Sequence, residues 1–173
     1  MKRHLIVDGY NLIYHWAKLK RISDHSLEEA RELLIHDLEN FSGFMGYATT
    51  LVFDAYAREN KEETITKIGK MTIVYTAKDQ TADAYIERFI YELPRLSSAK
   101  VVTSDYAMQQ IVLGKGFERI PSRELIMAIK KAKEEMTIQN KQEQKTMQTN
   151  WLSDHMDDGV RQALEKYRRS DGK

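Results

Sequence analysis

The chain has 173 residues and a formal net charge of +1, because 27 Lys and Arg residues nearly balance 26 Asp and Glu residues. Its length suits one domain with a full core, and its net charge alone does not indicate a nucleic-acid partner. The absence of cysteine excludes disulfides and thiolate metal sites, and no apolar run reaches the roughly 18 residues that span a bilayer, so we expect a cytoplasmic protein without a membrane partner.

The first predicted elements are two strands with a helix between them. An apolar strand covers residues 4–7, and an acidic turn signal closes it. Ser26 begins a capping box, which predicts the start of a helix that ends near Gly43 or Gly46. Residues 49–53 are rich in β-branched and aromatic side chains and predict the second strand.

The middle of the chain contains a charged segment, two strands and another helix. Residues 55–70 are charged and only weakly patterned, so we predict a loop or a short helix there. A third strand at 71–75 precedes a helix that Thr81 caps and Pro94 ends. A fourth strand follows at 100–103.

The last third of the chain is predicted to be mainly helical. Ser104 caps a helix that ends at the glycines near residue 114. Because the stretch 137–150 is polar and poor in hydrophobic residues, it predicts a linker or a frayed helix end. The remaining elements are a short strand at 117–120, a long helix from Ser122 through Lys133, and a final helix over about 154–169.

Short apolar strands alternate with helices along the chain, which indicates a parallel sheet covered by helices on both faces. Right-handed crossovers place the carboxyl ends of these strands at one edge of the sheet. We therefore predict an α/β fold, a three-layer α/β/α sandwich with a mainly parallel central sheet and additional C-terminal helices. Residues 1–136 are expected to form this domain, and residues 137–173 a polar linker and helical extension.

Four aspartates are predicted to lie at this carboxyl edge. Asp8, Asp54 and Asp105 follow predicted strands, and Asp83 lies in the first turn of the helix after the third strand. Each one alone has an ordinary structural explanation, either in a turn or at a helix N-terminus. Together they would repel one another, and such an arrangement is costly unless a cation neutralises it.

Two further polar residues extend the candidate site. Glu87 lies one helical turn after Asp83, and Asn11 follows Asp8 by three residues, where its amide could orient a carboxylate or a water. Carboxylate and amide oxygens suit Mg²⁺ or Mn²⁺. Two such ions can activate water and stabilise the leaving oxygen of a phosphodiester. The predicted activity is therefore metal-dependent hydrolysis of phosphodiester bonds.

Five motifs occur in order along the chain: LIVDGYNLI at residues 5–13, LVFDAY at 51–56, TADAYIE at 81–87, VVTSDY at 101–106 and SREL at 122–125. Together they resemble the NYN domains of the PIN-like nuclease superfamily, most closely the YacP-like group. The resemblance covers about residues 3–135, and no motif matches in the tail after residue 137.

The resemblance implies a PIN-like α/β/α sandwich in which Asp8, Asp83 and Asp105 hold the metal, with Asp54 beside them. It implies a Mg²⁺- or Mn²⁺-dependent endoribonuclease. The YacP-like group includes a ribosome-associated enzyme that cuts mRNA during translation, so the resemblance also implies mRNA and the ribosome as partners. The predicted catalytic residues are Asp8, Asn11, Asp54, Asp83, Glu87 and Asp105.

An RNA substrate needs cations and accessible rings around an acidic site. Surface lysines and arginines are commonplace, and tyrosines near a sheet edge are more often packed, so the structural alternative stays open for each of them. The aromatic residues that could stack on unpaired bases are Tyr10, Tyr14, Trp16, Tyr56 and Tyr106. The candidate RNA-contacting residues are Tyr10, Lys18, Arg21, Arg58, Lys78 and Arg123.

Two other functions fit parts of the pattern. A phosphoacceptor receiver domain has an aspartate near the position of Asp54, but it needs an acid pair after the first strand, where this chain has Asp8 and Gly9. The second alternative is a catalytically silent RNA- or ribosome-binding module on the same fold. Retention of Asp8, Asp83 and Asp105 argues against it, since a silent copy need not keep a repulsive cluster. We expect a monomer.

Overall fold

The computed structural model describes residues 3–55, 62–94 and 98–155. The candidate RNA contact Arg58, the aromatic residue Tyr56 and nearly all of the predicted helix over 154–169 lie outside the described residues. Within the described ranges, no helix is both long enough and apolar enough to span a membrane.

The described residues form six strands in one sheet. The strands are β1 (Arg3–Asp8), β2 (Tyr47–Phe53), β3 (Thr64–Ile68), β4 (Met71–Tyr75), β5 (Ser98–Val102) and β6 (Glu118–Ile120). Their order across the sheet is β3-β4-β2-β1-β5-β6, and every neighbouring pair is parallel except β3 with β4. The prediction of a mainly parallel sheet is confirmed.

Six helices connect and extend these strands in the described part of the chain. They are α1 (Gly9–His15), α2 (Ala17–Ser23), α3 (Leu27–Met45), α4 (Ala82–Glu92), α5 (Tyr106–Gly114) and α6 (Ser122–His155). The Ser26 hydroxyl accepts a 3.1 Å hydrogen bond from the Glu29 N–H, and the Thr81 hydroxyl accepts one of 3.1 Å from the Ala84 N–H. Gly46 ends α3 with a φ of 73°, a left-handed conformation that glycine adopts without strain.

Helices cover both faces of the sheet. Ile6 and Val52 belong to a buried cluster that includes side chains of α4 and α5. Leu5 points to the opposite face, because side chains alternate along a strand. There it lines a small cavity with Phe41 of α3 and Leu125 of α6. The predicted three-layer α/β/α architecture is thereby confirmed.

The segment 55–70, predicted as a loop or a short helix, contains a strand instead. β3 pairs antiparallel with β4 across a two-residue turn, in which Gly69 has a φ of 55°. β3 is an edge strand whose central residues are exposed. Because neither of its faces is fully buried, the strand lacks the apolar alternation that would reveal it in the sequence.

Two helical regions also differ from the predictions. α1 and α2 occupy residues 9–23, for which no defined helix or strand was predicted. The polar stretch 137–150, predicted as a linker or a frayed end, is helical because α6 continues to His155. That stretch contains neither Gly nor Pro, and Gln, Lys, Glu and Met are good helix formers. The chain divides into two compact units, residues 1–133 and residues 134–173.

Candidate active site at the carboxyl edge of the sheet

The carboxyl edge of the sheet contains a topological switch point between β1 and β5. From β1 the chain adds β2 and β4 on one side, and later it adds β5 and β6 on the other. Such a point leaves a crevice outside the strand ends, where ligands of α/β proteins bind. Asp8 ends β1 and Asp105 follows β5, so these two residues flank the crevice.

Asp8 joins the end of β1 to the start of α1. Its Oδ1 accepts a 3.1 Å hydrogen bond from the backbone N–H of Asn11, which caps the helix. Burial raises the pKa of the Asp8 carboxyl from 3.8 to about 6; the Asn11 N–H opposes this rise, and the charges of Asp83 and Asp54 add to it. The ionised form of Asp8 is therefore unfavourable unless a positive charge comes close.

Asp54 and Asp83 meet at the start of α4. The Asp54 Oδ1 accepts a 2.7 Å hydrogen bond from the backbone N–H of Ala82. Burial raises the pKa of Asp54, and this hydrogen bond partly offsets the rise. The Asp83 side chain is accessible to solvent, yet desolvation by the surrounding protein is the largest cause of its raised pKa, followed by the charges of Asp105 and Asp54. Since Asp83 also acts on Asp8, it interacts with all three other aspartates.

Asp105 is held at the start of α5 by two hydrogen bonds. Its Oδ1 accepts a 3.0 Å bond from the backbone N–H of Met108, and its own N–H donates at 3.0 Å to the hydroxyl of Thr103. This arrangement fixes the carboxylate where β5 turns into α5. The four aspartates predicted from the sequence thus lie at one edge and share one electrostatic environment.

Asn11 connects three parts of this edge. Its backbone N–H caps Asp8, while its side-chain amide donates to the hydroxyl of Ser104 and its Oδ1 accepts a 2.8 Å bond from the hydroxyl of Ser122. Ser104 precedes Asp105, and Ser122 begins α6. Ser104 was predicted as a helix cap and Ser122 as a helix start within the motifs VVTSDY and SREL, but neither was assigned to the site, so their place there was missed. Asn11 positions the loops that carry the aspartates.

Glu87 lies one turn after Asp83 on α4 and is partly buried. Its charge is not among the causes that shift the pKa of Asp83. Among the described residues, no hydrogen bond or ion pair joins Glu87 to the aspartates. Its catalytic role stays a prediction.

The fold resembles that of solved proteins. A crystal structure of Rae1 (YacP) from Bacillus subtilis has a TM-score of 0.68 and 30% identity, covering 96% of this chain and 95% of that one. A tryptophan-to-leucine mutant of the same protein gives a TM-score of 0.64 at 30% identity over 78% of each chain. Residues 5–169 match the family model of the YacP-like NYN domain. The chain belongs to the YacP-like NYN family.

A curated member of this family shows how far the likeness extends. The YacP protein of Bacillus subtilis strain 168 is 31% identical over 168 residues, which are 96% of this chain and 97% of that protein. The family match therefore continues into the tail after residue 137, where no motif of the family was found in the sequence. NYN domains of the YacP type are nuclease-like and indicate RNA as the ligand.

The donor chemistry of this NYN site fits a hard cation. Within the described residues, no three His, Cys, Asp or Glu side chains are close enough to form a ligand group by themselves. Mg²⁺ does not require such a group, because it is bound through one or two carboxylates and keeps several waters. The mutual charge effects of Asp8, Asp54 and Asp83 would be relieved by a divalent ion. Binding by Asp8, Asp83 and Asp105 stays a prediction: their oxygens are the right type of donor, but they would have to come closer together, or bind through waters, to hold one ion.

The raised pKa of Asp8 predicts a stability effect that depends on pH. Asp8→Asn keeps a good N-cap residue for α1 but removes the buried charge. In the wild type, stability is lost as pH rises from 3.8 through about 6, because the native state holds its proton more tightly than the unfolded state. The variant should therefore be more stable at neutral pH, by about 1–3 kcal/mol.

Urea denaturation of both proteins at several pH values measures this difference directly. The advantage of Asp8→Asn should be complete above pH 6 and absent below pH 3.8. An advantage that is the same at acid and neutral pH would contradict the buried-charge explanation.

The described cationic candidates lie in two places. Lys18 and Arg21 of α2 line an open cavity of about 380 Å³ together with His25 and Glu29. Lys78 is exposed shortly before α4, and Arg123 is exposed beside Ser122. The positions of Lys78 and Arg123 in the chain put them next to elements of the acidic edge. All four stay predictions as RNA contacts.

Tyr10 does not fit its predicted role as an RNA contact. Its side chain is only 4% exposed, and its ring packs edge-on against Phe53 at 5.1 Å between centroids. Its hydroxyl accepts a 2.9 Å hydrogen bond from the Arg31 guanidinium. Tyr10 therefore belongs to the core, where a nucleobase cannot reach its ring.

Proposed function

We propose that this NYN domain is a Mg²⁺- or Mn²⁺-dependent endoribonuclease that hydrolyses phosphodiester bonds of mRNA. The observation that carries the proposal is the group of four aspartates at the switch-point edge, where burial makes the ionised forms of Asp8, Asp54 and Asp83 costly and neighbouring aspartate charges add to that cost for Asp8 and Asp83. A fold gains nothing in stability from this arrangement. It is useful where divalent cations and phosphates meet.

The aspartates would act in two ways. Asp8, Asp83 and Asp105 supply the oxygens that hold the cation, and Asp54 fixes the start of α4 through the Ala82 N–H so that Asp83 faces the other carboxylates. When bound, the divalent ion supplies charge stabilisation for the phosphoryl group and acidity for the attacking water.

The reaction itself is hydrolysis of a phosphodiester. A water oxygen forms a bond to phosphorus while the bond to the leaving ribose oxygen breaks. The water gives up a proton to solvent or to a carboxylate of the edge, and the leaving oxygen takes up a proton from solvent.

Association with the ribosome is part of the proposal, and its support is the family resemblance. Action on mRNA during translation would explain a nuclease domain without a large net positive charge, since the ribosome rather than the domain would hold the substrate. The choice of mRNA over other RNA rests on the same resemblance.

The test is cleavage of labelled single-stranded RNA by the purified protein with Mg²⁺, with Mn²⁺ and with EDTA. Each condition is repeated with translating ribosomes loaded with a labelled mRNA. We expect cleavage that EDTA abolishes, either of free RNA or of ribosome-bound mRNA. RNA or ribosome binding without cleavage under every condition would favour a catalytically silent module, and cleavage that persists in EDTA would overturn the metal-dependent mechanism.

A further inference from the structure

Tyr106 is an exposed aromatic residue at the acidic edge. It is the first residue of α5 and directly follows Asp105, and its side chain is 74% exposed. Among the described residues, it has no hydrogen bond, ion pair or ring contact. Its ring therefore adds little to the stability of the domain. Single exposed aromatic residues are common on protein surfaces, so its position has to carry the argument.

The helix geometry directs the Tyr106 side chain toward the site. The Cα–Cβ bonds of an α-helix tilt toward its N-terminus, and a side chain covers the turn that precedes its own Cα. For the first residue of α5, that direction leads past the helix start toward Asp105 and the carboxyl ends of the strands. Its position directly after Asp105 thus puts Tyr106 beside the place where the aspartates meet.

Other aromatic residues near this edge are already used by the fold. Tyr10 is 4% exposed and Trp16 is 5% exposed, so both are core residues. Tyr14 is 47% exposed, but its ring stacks on Tyr10 with 6.4 Å between centroids. Of the described aromatics that follow a site aspartate, Tyr106 is the one whose ring faces are open.

We propose that Tyr106 stacks on an unpaired base next to the phosphate that is cleaved at the aspartate site, and thereby selects single-stranded RNA. The inference rests on the proposed nuclease function and names its substrate class. Aromatic side chains hold single strands by stacking on the base faces, and these faces are covered by neighbouring bases inside a duplex. The proposal therefore makes Tyr106 a specificity-determining residue that touches the substrate beside the reacting bond.

Binding experiments with three variants test the stacking. Tyr106→Leu removes the aromatic face, Tyr106→Phe keeps it, and Tyr91→Leu is the matched control. Tyr91 is 57% exposed but lies at the far end of α4, where the Lys115 ammonium lies 4.4 Å from its ring centroid. The probe is a short single-stranded RNA carrying 2-aminopurine, titrated at low salt with Ca²⁺ in place of Mg²⁺ or Mn²⁺, so that a divalent ion can still neutralise the carboxylates while cleavage is suppressed.

We expect Tyr106→Leu to weaken binding of the single strand about fivefold to 100-fold, the effect of losing one stacked base. Tyr106→Phe and Tyr91→Leu should bind as the wild type does, and quenching of 2-aminopurine fluorescence should be lost only in Tyr106→Leu. In cleavage assays with the metal present, Tyr106→Leu should raise KM and leave kcat nearly unchanged.

Several results would overturn the inference. The first is that Tyr106→Leu binds the single strand with the affinity of the wild type, and the second is that Tyr106→Phe loses as much affinity as Tyr106→Leu. The third is that the wild type binds duplex and single-stranded RNA equally well, and the fourth is that it binds no RNA. The same experiments distinguish a failure of the stacking proposal from a failure of the proposed nuclease function. If the wild type cleaves RNA and Tyr106→Leu keeps its KM, only the stacking is wrong. If stacking depends on Tyr106 but no RNA is cut, only the nuclease function is wrong.

Discussion

Asp83→Asn is expected to reduce the rate of RNA cleavage by a factor on the order of 10²–10³, the loss seen when one charge-stabilising group is removed from a preorganised site. Asp83 is the best choice because its charge acts on Asp8 and is acted on by Asp54 and Asp105. Its side chain is accessible, so the amide should be accommodated without a packing defect. The measurement is the initial rate of cleavage in saturating Mg²⁺ or Mn²⁺.

Asp79→Asn is the matched control for this experiment. It is the same chemical change four residues earlier in the chain, at an exposed position before α4 that is not among the charges acting on the site aspartates. It should cleave at the wild-type rate. Should Asp83→Asn and Asp79→Asn both retain full activity, the acidic edge is not the catalytic site, and a contaminating nuclease becomes the better explanation.

The acidic edge was predictable from sequence because local rules determine it. Each aspartate follows an apolar strand or begins a helix, and parallel connections bring such positions to one edge. The Asn11 bridge was not predictable in this way. It joins residues that are 93 and 111 positions apart in the chain, and no local pattern reports such a contact.

Tyr10 and Tyr106 show where sequence reasoning about the aromatic residues fails. Tyr10 follows Asp8 by two residues, and Tyr106 follows Asp105 by one, so both appeared equally close to the site. Each aspartate caps a helix, in which one residue of displacement turns a side chain by about 100°. That rotation places Tyr10 on Phe53 in the core and leaves Tyr106 in solvent.

The acidic site and the core are connected through Gly9. This residue starts α1 directly after Asp8, and a Cβ there would overlap the ring of Phe53, coming within 2.8 Å of its Cζ atom. Phe53 is completely buried and stacks on Tyr75 at 5.3 Å between centroids. The ring also contacts Tyr10, so it cannot move away cheaply. Glycine is required here by close packing between α1 and β2.

Gly9→Ala should therefore destabilise the protein by about 1–3 kcal/mol, the usual penalty for overpacking a core. For a chain of this size, that corresponds to a decrease in Tm of roughly 2–12 °C. Cleavage should also fall, because relief of the overlap would shift the start of α1 and with it Asp8.

Gly43→Ala is the control, since its Cβ would meet nothing within 4 Å and it lies within α3. There alanine should stabilise the helix by up to about 1 kcal/mol. Equal Tm values for both variants would show that the close contact with Phe53 does not constrain the site.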